Sequence, residues 1–353
     1  MQCDLPNIDE QNLGGIEMNY AIWVTTTCNL KCKYCYEGAE KPTIRLNREM
    51  ADRILEYIFN NMKDKSDREL DIDFHGGEPL LEFDTIKYLV YRINEKYEKE
   101  KNIHFGMTTN ATILNDEILE FLIRYVGDLT VSLDGTENIH GFYRPFKNGR
   151  SSYDVAMSNS KKILKYRPQL RVRMTVTSEG VSSLAENVIH LISNGFQVIV
   201  PGIDYFDSKW DDKKIQILEN QILMIKNHIK GNNEIAVSLC DPIWIKGKNI
   251  CRGGINSQNI LPDGSIYPCM MAGGNKEFCI GNIYDGVNSG KLSAIMKQNC
   301  HINEECVDCS ISNGCNGKRC KIVNKLLTGD YNLPSALECE INHMLFRLNG
   351  VVV

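Results

Sequence analysis

Between residues 20 and about 230, short β-type runs alternate with helix-period segments six times, and this alternation limits the fold more than any other feature of the chain. The strand candidates are YAIWVTT (20–26), ELDIDFHG (69–76), IHFGMTTN (103–110), LTVSLDG (129–135), LRVRMTVT (170–177) and FQVIVPGI (196–203). Helix-period segments at 48–62, 84–100, 115–125, 153–166, 182–194 and 213–229 follow them. A strand, a helix and a second strand pack as a right-handed crossover onto a parallel sheet, which leaves a barrel or a doubly wound sheet. In either case the groups that act on a ligand belong at the C-terminal ends of the strands.

Past residue 235 helical periodicity weakens, glycines multiply, and most of the fourteen cysteines fall between Cys240 and Cys339. A region so irregular and so poor in apolar pattern needs staples of metal or disulfide. The expected division is an N-terminal extension (1–19), an α/β domain (20–235) and a cysteine-rich domain (236–353). A net charge of -5 provides no general attraction to nucleic acid. No run is long and apolar enough for a membrane span, and the N-terminus lacks a secretory pattern, so a cytoplasmic protein is expected. In a reducing compartment, cysteines in this number point to metal or catalytic use.

The stretch TTTCNLKCKYCYEG sets Cys28, Cys32 and Cys35 directly after the first strand. Three thiolates satisfy three irons of a cubane cluster and leave the fourth iron open, which suits a cluster that binds a substrate. A structural zinc site would call for four ligands in paired spacing, and no nearby Cys or His completes one.

With Tyr34 before the last cysteine, this pattern resembles the signature of the radical S-adenosylmethionine (AdoMet) enzymes. Other segments extend the resemblance. HGGEP, with Gly76, Gly77, Glu78 and Pro79 after the second strand, is similar to the family segment that holds the cofactor's amino group. Asn110, Ser132 and Asp134, at the ends of the third and fourth strands, look like positions lining the cofactor. Arg144 falls where many members place an arginine near its carboxylate, and Tyr34 offers its ring to the adenine. The resemblance implies a partial (β/α)6 TIM-like barrel followed by an irregular iron–sulfur domain. It also implies that one electron cleaves AdoMet to a 5'-deoxyadenosyl radical, which takes a hydrogen atom from the substrate.

Cys251, Gly264, Cys269, Cys306, Cys309, Cys315, Cys320 and Cys339 resemble the SPASM extension of such enzymes, except that four residues rather than three separate Cys315 from Cys320. The resemblance implies two auxiliary 4Fe–4S clusters, one on Cys251, Cys269, Cys320 and Cys240, the other on Cys306, Cys309, Cys315 and Cys339. With the AdoMet-binding cluster that makes three. Cys3, Cys279 and Cys300 are left over as buried small hydrophobes or, in one case, a hydrogen-atom donor. Asp204, Tyr205 and Asp207 read as a solvated loop in preference to a substrate channel.

Peptide maturation and sulfatase maturation are the functions this resemblance implies. The sulfatase branch has an aspartate base directly after a cysteine, where this chain has Met270 in YPCMM. A thioether or carbon–carbon crosslink in a ribosomally made precursor peptide is therefore expected first. Formylglycine formation and peptide epimerisation stand as alternatives within the class, and an iron–sulfur electron carrier or a zinc-dependent binding module outside it. A donor such as flavodoxin or ferredoxin is implied. The 27 residues before Cys28 are too few for a leader-binding winged helix, so a separate leader-binding protein or direct recognition by the barrel is expected.

Overall fold

The computed structural model describes residues 18–38, 43–63, 69–97, 102–241, 251–301, 303–312 and 314–350. Most of the expected N-terminal extension, with Cys3, lies outside them. Six strands carry the α/β part: β1 (Met18–Thr25), β2 (Leu70–Gly76), β3 (Ile103–Thr109), β4 (Asp128–Ser132), β5 (Arg171–Val176) and β6 (Val198–Ile203). All pair in parallel in chain order. The crossovers are α1 (Arg48–Met62), α2 (Phe83–Tyr97), α3 (Asp116–Tyr125), α4 (Glu137–Tyr143) with α5 (Tyr153–Leu164), and α6 (Leu184–Ser193). The last helix of this part is α7 (Asp212–Ile229). Helix starts follow their caps: Asn47, Asn115 and Asp211 accept the backbone N–H of Met50, Ile118 and Lys214.

The strands are two-faced. Leu70, Ile72 and Phe74 of β2, with Val172, Met174 and Val176 of β5, are buried in the core shared with the helices. Asp71, Asp73 and His75 of β2 alternate with them and are half-buried, as is Thr175 of β5, while Arg171 and Arg173 are exposed. A filled TIM barrel would pack this inner face with branched apolar side chains. Here the sheet does not close, and water reaches a polar lumen.

The sheet continues past the six strands. On one side β7 (Ala236–Val237) pairs with β6. On the other, β8 (Ser257–Ile260) pairs in parallel with β1, and β9 (Ser265–Tyr267), β10 (Gly281–Asn282) and β11 (Gly286–Val287) follow antiparallel. Among the described residues this makes one sheet of eleven strands, ordered β11-β10-β9-β8-β1-β2-β3-β4-β5-β6-β7. Helices α8 (Ser289–Lys297), α9 (Glu304–Val307), α10 (Asn316–Arg319), α11 (Lys321–Thr328) and α12 (Ala336–Leu348) complete the chain. Trp23, at the C-terminal end of β1, packs with Leu261, Tyr267, Ala272, Phe278 and Ile322, seating the cysteine-rich region beside the lumen. No helix among the described residues is long and apolar enough to cross a membrane.

Candidate active site

The loop after β1 has no regular structure of its own and is held from two sides. Lys31 N–H donates to Pro145 O (2.8 Å) and Lys33 N–H to Tyr143 O (2.9 Å). Turns from Cys35 N–H to Cys32 O and from Gly38 N–H to Cys35 O coil it. The three thiols face one another: Cys35 acts on Cys28, and both act on Cys32. Burial pushes the Cys28 thiol up and the Cys32 thiol up to about 12, the pull of Arg144 notwithstanding. Both therefore stay protonated until a metal displaces the proton. Leu30 N–H (3.4 Å) and Asn110 Nδ2 (3.8 Å) point at Cys28 Sγ. Among the described residues no three Cys, His, Asp or Glu side chains converge as they would on a single ion. Three mutually facing thiols, two half-buried and that of Cys35 exposed, with no fourth ligand among the described residues, fit the wider spacing of an iron–sulfur cluster.

The end of β2 presses against this loop. Gly76 (φ +141°) and Gly77 lie where a Cβ would meet Thr25 O at 2.1 Å and Thr27 O at 2.4 Å, so neither position admits a side chain. Gly77 N–H donates to Thr25 O and Glu78 N–H to Thr27 O, locking the two turns together. The Glu78 carboxylate is buried and accepts from Leu80 N (3.1 Å), Thr109 Oγ1 (2.7 Å) and Asn110 N (2.7 Å). Burial raises it to about 6, against those three bonds. Pro79 is buried and opens a short 3-10 turn. Glu78 thus ties the glycine turn to the end of β3, and through Asn110 to Cys28.

Asp134 and Arg144 form a buried bidentate pair, with Nε–Oδ2 at 2.9 Å and Nη2–Oδ1 at 3.1 Å. Asp134 also accepts from the Tyr34 hydroxyl and from Thr175 N (3.0 Å). Its oxygens are thus committed within the protein, and Asp134 serves as an organiser of the loop. Arg144 lies 5.2 Å from the Tyr34 ring centroid. Burial pulls its pKa down, but Asp134, Tyr34 and Cys32 outweigh that and hold it above its ordinary value. Ser132, the last residue of β4, is buried, and among the described residues its hydroxyl makes no hydrogen bond.

Sequence reasoning missed His140 and Ser152. Asp134 N–H donates to His140 Nδ1 (3.3 Å), His140 Nε2–H to Ser152 Oγ (3.0 Å), and Ser152 Oγ–H to Arg144 O (2.6 Å). This relay fixes the backbones on which the Asp134–Arg144 pair stands, and a histidine inside a short helix carries no signal of it. Burial lowers His140 to about 4. The unfolded chain therefore binds this proton first: the contribution is whole above pH 6.5 and is lost as pH falls through about 4. The expected loss is roughly 3 kcal/mol. Urea titrations between pH 7 and 4 should show that dependence in the wild type and its absence in His140→Gln.

A Radical SAM superfamily model matches residues 22–192, which span every residue just described. An uncharacterised protein of Methanocaldococcus jannaschii, MJ0907, is 30% identical over 80% of this chain and 93% of its own length. This chain belongs to the radical SAM superfamily. Membership implies AdoMet and a 4Fe–4S cluster, for which Cys28, Cys32 and Cys35 are the fitting donors. A cysteine-type anaerobic sulfatase-maturating enzyme of Clostridium novyi is 24% identical over 69% of this chain and 71% of its own. In fold, anSMEcpe with bound AdoMet and Kp18Cys peptide superposes with a TM-score of 0.75 at 18% identity, over 94% of this chain and 97% of that one.

Outside the matched segment, seven further cysteines of this radical SAM protein fall in two groups. Cys251 acts on Cys269, and both act on Cys320. Cys315, Cys306 and Cys309 all act on Cys339, and His343 Nε2 lies 3.6 Å from Cys309 Sγ. Cys240 faces Lys226 and Asp241, and the short turn carrying it packs against α7 and the end of β6. Cys279 donates to Gly281 O (3.4 Å) and joins neither group. The Tyr205 phenol, pushed up by burial, faces Glu338 and Cys315. Asp204 and Asp207 accept from backbone N–H groups of their own loop.

Proposed function

We propose that this enzyme modifies a ribosomally made peptide, forming a thioether or carbon–carbon crosslink. The observation that carries the reading is the open polar lumen, bounded by the Cys28–Cys35 loop on one side and by Cys269 on the other. Tyr36, on that loop, faces both Cys35 and Cys269. A relative of known activity and a fold neighbour bound to Kp18Cys peptide support a polypeptide substrate.

When bound, the cluster and AdoMet supply a carbon-centred radical that removes hydrogen from the substrate. The chain's part is placement. Cys28, Cys32 and Cys35 would hold three irons, while Gly76 and Gly77 let the backbone come close to the cofactor's amino group. Ser132 has a free hydroxyl for its ribose or carboxylate, and Tyr34, anchored by Asp134, presents its ring to the adenine. We assign Cys251, Cys269 and Cys320 to one auxiliary cluster and Cys306, Cys309, Cys315 and Cys339 to another, within a domain running from 236 to 353. We assign Cys240 to neither. A small donor such as flavodoxin or ferredoxin would deliver electrons.

Formylglycine formation is the second reading, favoured by the Clostridium novyi relative. Against it, Met270 follows Cys269, is 46% exposed and offers no base. Anaerobic incubation with candidate precursor peptides, read by mass spectrometry, separates the outcomes. Crosslinking removes two hydrogens, aldehyde formation changes a single Cys or Ser, and epimerisation takes up solvent deuterium at constant composition. Unmodified peptide beside released 5'-deoxyadenosine would refute peptide maturation while leaving radical formation intact.

A further inference from the structure

Arg173 projects from the middle of β5 on the lumen face, level with Ser132 of β4 and Val200 of β6. Solvent reaches it, and among the described residues it makes neither a hydrogen bond nor an ion pair. Its neighbour Arg171 differs, being paired with Asp128 at 2.8 Å. The space for Arg173 is built: Gly202 of β6 leaves room for the guanidinium, and a Cβ there would meet Nη2 at 2.3 Å and Cζ at 2.6 Å. Burial first and the positive charge of Arg144 second lower its pKa, and only the Tyr36 phenol acts in the other direction. A guanidinium that solvent reaches and no protein carboxylate occupies is open to a ligand, and its planar fork matches a carboxylate in two parallel bonds.

Arg144 and Arg173 are divided by their surroundings. Arg144 is committed to Asp134 and faces Cys32 at the radical-forming loop. Arg173 faces Tyr36, whose hydroxyl bonds His75 Nε2 at 2.9 Å and which also lies within reach of Cys269. Arg173 is therefore turned toward the space between the two cysteine sites, where a substrate would lie.

We propose that Arg173 anchors a carboxylate of the bound peptide, from an Asp or Glu side chain or a free C-terminus, and so selects peptides that carry one near the reacting residue. The inference rests on the peptide reading above and adds to it a chemical class of substrate.

The test uses the full-length, cluster-reconstituted enzyme with AdoMet and no reductant. The probe is a pool of random octapeptides, offered as free acids and as fully methyl-esterified copies, with retained peptides identified by mass spectrometry. Wild type should retain free acids about tenfold or more over esters, as expected for a charge-assisted pair. Arg173→Gln should lose that preference, and Arg173→Lys should keep part of it. Amidated pools with and without Asp and Glu separate a side-chain carboxylate from a C-terminal one.

AdoMet cleavage by dithionite without peptide should proceed equally in all three proteins, which also reports that they fold. Equal retention of acids and esters by wild type, or an unchanged preference in Arg173→Gln, overturns the proposal. Loss of peptide-independent AdoMet cleavage in both variants also overturns it, by placing Arg173 on the cofactor. Absence of 5'-deoxyadenosine from wild type would instead strike at the enzymatic reading, and the retention assay reads independently of it.

Discussion

Cys32→Ala should reduce 5'-deoxyadenosine formation to the background of an enzyme-free control. Cys32 sits between the other two thiols, and its proton is held by burial to about 12, so only a metal with several ligands in place displaces it. Removing the middle donor leaves Cys28 and Cys35 with one anchor fewer, and alanine offers no donor atom in its place. The measurement is anaerobic, dithionite-reduced cleavage of AdoMet, with iron content determined on the same samples. Cys309→Ala provides the contrast. It lies in the Cys306, Cys315 and Cys339 group, remote from the loop in sequence, and should spare AdoMet cleavage while impairing peptide modification. Equal AdoMet cleavage by wild type and Cys32→Ala would refute the placement of the radical-forming cluster.

Gly77→Ala should be nearly as damaging, by a different route. The added methyl would stand 2.4 Å from Thr27 O, 2.5 Å from Thr27 C and 2.8 Å from Cys28 N. All three are backbone atoms of the cysteine loop, so no rotamer change relieves the clash. Overpacking of this kind costs about 1–3 kcal/mol or more, and the loop is the part free to yield, because β2 is held on both sides by β1 and β3. The expected outcome is a melting temperature lower by several degrees, with iron incorporation lost from the Cys28 site. Gly127→Ala is the control: its nearest atom is Phe105 O at 4.0 Å, and it should melt with the wild type.

The α/β part was legible because each of its elements carries its own local signal. Helix α1 was read as residues 48–62 and spans Arg48–Met62, since Asn47 caps it and its apolar stripe is complete. Strand β5 was read as LRVRMTVT, and its alternation of Val172, Met174 and Val176 with two arginines already separates a packed face from a wet one. The cysteine spacings could not say how Cys240 is packed, because that depends on the contacts of its turn with α7 and the end of β6. The relay through His140 and Ser152 was illegible because it joins side chains to backbone atoms across a turn, which no periodicity records. The pairing of β8 with β1 was equally hidden. SQNI is four residues long with a single apolar side chain, and its partner lies at the other end of the chain.

That last pairing also sets a timetable. Tyr20 lies opposite Gln258, so β1 acquires its second neighbour only after almost three quarters of the chain has been made. At roughly 5–20 residues per second, the strand that carries the cysteine loop waits on the order of ten to fifty seconds at the ribosome with one side unpaired. Contacts this distant in sequence also form late in folding. A cluster held by Cys28, Cys32 and Cys35 would therefore gain a fully supported loop only after β8 has been made and paired.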